Sequence, residues 1–173
     1  MKPNAITRAS AATLAATLGA TLVLLASPAG AQRSLQHRDT VERHSERVMP
    51  FDMNRAMHVF DPKPDGGLQT VIMHDGDPTQ IALVRSHLRK EAQAFSHGDF
   101  TDPVSIHGAA MSGLAELRSG AQRIRVTYAP VPSGATIQYR TRDPKLVAAL
   151  HRWFAAQVDD HGTHAMMSKS RIR

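Results

Sequence analysis

The sequence predicts an α+β fold: two ββα units forming a small, mainly antiparallel sheet, with helices packed on one face. Three observations carry this. Two stretches alternate apolar and polar residues around a turn containing Pro and Gly. Each stretch runs into an Asp-Pro pair that can open a helix. Each helix then shows one apolar stripe at 3.6-residue spacing.

The first unit begins with "MHVFDPKPDGGLQTVIMHDGDP", residues 57–78, in which two β-prone runs flank a Pro/Asp/Gly turn. Asp77 is a suitable N-cap for the following helix. Pro78 fits the first helical position, where a backbone N–H would find no intrahelical partner anyway. Ile81, Val84, Leu88, Ala92 and Phe95 make its stripe, and Gly98 stops it. Ser112 then stands before a short helix, "GLAELRS", that ends at Gly120. The second hairpin, "RIRVTYAPVPSGATIQYRT", alternates more cleanly. Ile124, Val126 and Tyr128 face one way, and Arg123, Arg125 and Thr127 the other. Ala135, Ile137 and Tyr139 alternate with Thr136, Gln138 and Arg140, giving one buried and one wet face. Asp143-Pro144 opens the last helix, with Leu146, Ala149, Leu150, Trp153, Phe154, Gln157 and Val158 as its stripe and Gly162 at its end.

The two units align at an offset of 66 residues: Asp77-Pro78 on Asp143-Pro144, Thr70 on Thr136, Leu88 on Phe154. Internal duplication and two unrelated units with the same capping chemistry both account for this. The expected core is Leu88, Phe95, Ile124, Val126, Ile137, Tyr139, Leu150, Trp153 and Phe154.

The ends differ from the domain. Lys2 and Arg8 precede an uncharged apolar run, and Ala29 and Ala31 follow in the small-residue pattern of a cleavage site. Residues 1–31 therefore read as a secretory signal peptide, and the protein as exported, periplasmic or secreted. Residues 32–56 are polar and rich in both charge signs, and read as a flexible leader with a helical turn or two around Val41 to Val48. The single domain is expected over 57–164, with a basic flexible tail over 165–173. No second apolar run suggests a membrane span after cleavage. The formal net charge is +6, and two of the basic residues lie in the signal. No dense basic motif with interleaved aromatics points to nucleic acid.

"QIALVRSHLRKEAQAFSHGDFTDPVSIHG", "GLAELRSGAQRIRVTYAPVPSGATIQY" and "DPKLVAALHRWFAAQVDDHG" together resemble a group of short exported bacterial proteins of unassigned function, over about residues 58–164. The label aspartate carbamoyltransferase, sometimes attached to that group, does not fit. Carbamoyltransferases are roughly twice as long and bind phosphate through a Ser-Thr-Arg-Thr loop, with a His-Pro motif elsewhere. Here Thr141-Arg142 precedes a helix cap, and there is no His-Pro. The resemblance implies a compartment and a fold unit, not a mechanism.

The candidate chemistry lies in ten histidines and eight methionines in a chain without cysteine. Imidazole suits zinc and copper, and thioether sulfur suits Cu(I). "VDDHGTHAMM" places Asp159, Asp160, His161, His164, Met166 and Met167 close together. "HGDFTDPVSIHGAAM" places His97, Asp99, Asp102, His107 and Met111. The candidate metal ligands are His107, His161, His164, His87, His151 and Met111, with copper or zinc as the ion. His87 and His151 each precede a His-Gly step by ten residues. That match needs an offset of 64, which puts the two on different flanks of their helices. His97 is most simply a helix-end residue. His161, on the apolar stripe, is expected to be a buried ring that caps a carbonyl or meets Asp102 or Asp159.

Three functions follow as expectations. The first is a small non-enzymatic binding protein that takes copper or zinc through His and Met. The second is an envelope protein-interaction module, with Arg123, Arg125 and Arg140 on the wet sheet face meeting a partner protein or an anionic surface. The third is a hydrolase-like enzyme with His107 as a loop base oriented by Asp102 or Glu116. No Gly-x-Ser-x-Gly, His-Glu-x-x-His or Gly-rich phosphate loop supports the third.

Overall fold

The computed structural model describes residues 28–168. The expected signal peptide lies almost wholly outside them. The described chain runs α1 (Pro28–Val48), β1 (Ala56–Lys63), β2 (Gly66–Met73), α2 (Pro78–Ser96), α3 (Thr101–His107), α4 (Leu114–Gly120), β3 (Arg125–Val131), β4 (Gly134–Arg140), α5 (Pro144–His161) and β5 (Ala165–Met167). One five-stranded sheet has the order β3-β4-β2-β1-β5. All its pairings are antiparallel except β1 with β5. The α+β architecture of two ββα units is therefore present.

Local chemistry sets the long helices. The Asp77 carboxylate accepts from the backbone N–H groups of Thr79 and Gln80 at 2.8 and 3.3 Å. Asp143 does the same for Lys145 at 2.9 Å. Each satisfies donors that the first helical turn leaves without a partner. α2 ends where Gly98 adopts φ +81°, a conformation that side chains with a Cβ disfavour. His97 sits just before it, its Nδ1 2.8 Å from the Gln93 carbonyl. His97 is a helix-end residue, as its position suggests.

The pairing of β2 with β4 sets Thr70 opposite Thr136, the two threonines aligned by the 66-residue offset. These central strands run antiparallel, so the two units enter the sheet in opposite directions. α2 crosses β3 and β4 of the other unit, while α5 lies over β1, β2 and β5. Each helix thus covers strands from outside its own unit, and neither unit has a core of its own.

Inward-facing residues alternate along every long strand: Ala56, His58 and Phe60 on β1, Ala135, Ile137 and Tyr139 on β4. They meet α2 and α5 in an aromatic core centred on Trp153. The Trp153 ring takes the edges or faces of Phe95, Phe100 and Tyr139 at centroid distances of 5.9, 5.9 and 6.0 Å. Of the expected core residues, Val126 alone is only partly buried.

Four segments differ from expectation. Residues 32–56 do not form a flexible leader with a turn or two of helix. Residues 32–48 belong to the 21-residue α1, which packs on α3 and α5 and buries Val41 and Ser45 at 1% and 2% exposure. Val41 and Ser45, near its C-terminal end, are the buried residues among those described, and two such positions make too thin a stripe to stand out against so many charges. Residues 101–107, expected as a loop, form α3. α4 is preceded by Gly113 at φ +82°, with no side-chain cap from Ser112. The C-terminal segment is not free from residue 165. Ala165 to Met167 pair in parallel with His58 to Phe60 and close the sheet edge.

Candidate metal centre

α2, α3 and α5 converge over β1 and enclose a cavity of about 40 Å³, room for an ion with a water or for two or three waters. His87 and Glu91 reach it from α2, Asp102 and His107 from α3, His161 from the end of α5 and His58 from β1. Leu88, Phe95, Ile137 and Trp153 form its apolar floor. Four imidazoles and two carboxyls thus share one largely buried space.

Along one wall, His87, Glu91 and Asp102 each offer a ligating atom, all within 4.8 Å of one another. The cause is local. Residues four apart share a helix face, so His87 and Glu91 stand together on α2. The α3 turn then brings Asp102 across. Glu91 is 6% exposed. Burial, followed by a hydrogen bond to Asp102 and the charge of that carboxylate, pushes the Glu91 carboxyl up to about 8. At neutral pH Glu91 therefore keeps its proton. Lys90 lies 3.2 Å from the outer side of Asp102. Burial, outweighing the nearby Asp102, brings His87 down to about 4, so its ring is neutral.

The other wall is imidazole. His107 donates from Nδ1 to Asp160 at 2.8 Å, with its side chain 1% exposed. Asp160 also meets His37 of α1 at 3.0 Å. Burial opposes the charge on Asp160, but the hydrogen bond from His107 and the pull of His107 and His37 hold its carboxyl below the usual range. His161 packs edge-on to His107 at 4.8 Å between ring centroids and lies parallel to His58 at 5.5 Å. The His58 ring meets the His164 backbone, while its Nδ1 is buried without a partner. Burial foremost, with the neighbouring imidazoles adding to it, lowers His58 to about 4 and His161 to about 2. Trp153 Nε1 is a second buried polar atom without a partner in the lining of this cavity. Buried polar atoms of this kind are uncommon.

A larger cavity, about 740 Å³, lies between α1 and residues 160–164 and shares His161 with the first. His164 lines this larger space and not the inner one.

The sequence-predicted residues separate cleanly. His87, His107 and His161 come together. His151 does not join them: its Nε2 donates to the carbonyls of Lys63 and Gly66 at 3.1 and 2.8 Å and fastens the first hairpin. Met111 packs in the apolar core. Asp102 and Glu116 do not orient His107, which takes Asp160 instead. Asp102 belongs with Glu91, and Glu116 pairs with Arg152. His161 meets imidazoles in place of the expected Asp102 or Asp159. Arg123 is not on the sheet as expected but ends a 3-10 turn (Ala121–Arg123) ahead of β3, where it pairs with Asp143 at 2.7 Å; Arg140 of β4 lies 3.6 Å from Asp65, so two of the three arginines have acidic neighbours within the chain.

Sequence reasoning passed over His58 and Glu91. His58 alternates with Ala56 and Phe60 on β1, and that alternation is a signal that it points inward. Glu91 stands four residues after His87, at the spacing that unites ligands on a helix. No family model, curated protein or solved structure matches this chain.

Proposed function

We propose that this is a small exported protein that binds a divalent transition-metal ion, zinc or Cu(II), through His87, Glu91 and Asp102. The observation that carries the reading is the convergence of one imidazole nitrogen and two carboxylate oxygens within 4.8 Å in a buried cavity. Zinc bonds such ligands at about 2.0–2.2 Å, which places ligating atoms about 3.5 Å apart, so the wall needs only a small closure. A nitrogen and oxygen set suits zinc and Cu(II), whereas Cu(I) favours sulfur. Met111 lies in the core and Met166 is exposed, and Met49, which does line the cavity, is not among the three residues whose ligating atoms converge. The inner cavity admits an ion and a water but no organic substrate, which favours binding over hydrolysis.

Calorimetric titration of the purified protein with Zn²⁺ tests the reading. Saturable binding that weakens at least tenfold in Glu91→Gln and in Asp102→Asn is expected. Equal affinity in wild type and both variants would refute it.

A further inference from the structure

We propose that the larger cavity beside α1 binds a small aliphatic polyamine, a flexible organic cation with several N–H-bearing ammonium groups. The site uses none of His87, Glu91 and Asp102, so it stands or falls separately from the metal reading.

Size is the first argument. The cavity holds about 740 Å³, within the roughly 300–1,000 Å³ range of small-molecule sites. The inner cavity, at about 40 Å³, has no such room. One side of the larger space is a single face of α1, where Arg38, Val41, Glu42, Ser45 and Glu46 recur at helical spacing. The turn after α1 and the end of α5 make the rest.

Charge is the second. The lining sets the carboxyls of Glu42, Glu46, Asp52 and Asp160 against the one guanidinium of Arg38. Asp160 is committed to His107 and His37, and Asp52 accepts from the Asn54 N–H at 2.9 Å. Glu42 and Glu46 are exposed at the mouth and free to meet a cation. They stand four residues apart on the helix, a rise of about 6 Å, which suits two ammonium groups joined by a short alkyl chain. Val41, Phe51 and Met53 offer apolar surface to the methylenes between such groups.

The third argument is an unexplained atom. Ser45 lies between the two glutamates in sequence, is 2% exposed and lines the cavity, yet its hydroxyl has no hydrogen-bond partner. A buried polar group left in that state is uncommon and costly. An ammonium N–H would donate to the Ser45 oxygen, which a cation without N–H cannot do. The surrounding carboxylates disfavour an anionic partner for the same hydroxyl.

The test is calorimetric titration of metal-free protein with spermidine at low ionic strength, with circular dichroism confirming the fold of each variant. One saturable site per chain is expected. Glu42→Gln/Glu46→Gln changes two exposed side chains that the fold tolerates, and should weaken binding about tenfold. Ser45→Ala should also weaken it about tenfold, the worth of a hydrogen bond to a charged group. Asp39→Asn, exposed on α1 outside the cavity, should leave affinity within about twofold of wild type. Choline, a cation without N–H, should bind about tenfold more weakly than spermidine, and the dianion succinate should not bind.

No saturable binding of spermidine overturns the proposal. Binding that falls as far in Asp39→Asn as in Glu42→Gln/Glu46→Gln also overturns it, because that is diffuse attraction to a charged helix. Affinity indifferent to Ser45→Ala, choline bound as tightly as spermidine, or saturable binding of succinate each does the same.

Discussion

Metal binding at the carboxylate wall should release a proton that an ordinary glutamate would not supply. Glu91 keeps its proton because it is buried and hydrogen-bonded beside another carboxyl, and it gives the proton up at about pH 8. An ion needs the deprotonated ligand. At pH 7 about 90% of Glu91 still carries that proton, so each ion bound should release about 0.9 H⁺, falling to about 0.5 at pH 8 and about 0.1 at pH 9. Apparent affinity should then rise about tenfold per pH unit up to pH 8 and flatten above it. His87, neutral above about pH 4, contributes nothing to this release. The assay is calorimetric titration with Zn²⁺ at pH 7 in two buffers of small and large ionisation enthalpy. The binding enthalpies should differ by about 0.9 of the difference between the buffers. The experiment is run in Glu91→Gln as well, where the proton should vanish. Equal enthalpies in both buffers for the wild type, or a proton still released in the variant, would refute the reasoning.

Other outcomes follow from the same coordinates. Because the Glu91 carboxyl is held above its ordinary 4.5, the stability its proton supplies is full below about pH 4.5 and lost as pH rises through about 8. Metal-free Glu91→Gln, with no proton to lose, should therefore show a smaller fall in Tm between pH 5 and pH 8 than wild type, and superimposable Tm profiles would count against the assignment. Gly113→Ala should cost about 2–4 kcal/mol by urea denaturation, because the residue has φ +82° and an added Cβ would lie 2.1 Å from the Ala149 carbonyl oxygen. A loss below about 0.5 kcal/mol would mean that α4 and α5 can separate cheaply. Val41→Asp should free α1 from α3 and α5 and open its peptide bonds to limited proteolysis at unchanged sheet content. Protection equal to wild type would contradict the docking of this helix.

The parts of the fold that were legible are those in which a residue and its immediate neighbours decide the outcome. Asp77-Pro78 and Asp143-Pro144 start helices because the carboxylate meets N–H groups two or three residues away. The alternation in β3 and β4 shows because one face meets a core and the other meets water. α1 was hidden for the opposite reason. It is held by Val41 and Ser45 against α3 and α5, elements more than fifty residues further along the chain, and its remaining charges look like those of a solvated segment. β5 was hidden too. Three residues carry little periodicity, and their strand exists only because the β1 edge lies beside them.

The site divides along the same line. His87, His107 and His161 could be singled out by composition, but their grouping depends on how α2 and α5 cross, which no local spacing records. The crossing also separates His87 from His151. Each helix covers strands from outside its own unit, and the two-residue difference in helix phase turns His151 toward the first hairpin, where two backbone carbonyls take its N–H. A duplicated unit would by itself suggest duplicated histidines, and phase removes that inference. The two helices also contribute unequally. His87 comes from the middle of α2, whereas His161 comes from the last residue of α5. The cavity therefore has one wall of carboxyls with a single imidazole and another of imidazoles alone, and only on the first do three ligating atoms, among the described residues, gather within 4.8 Å.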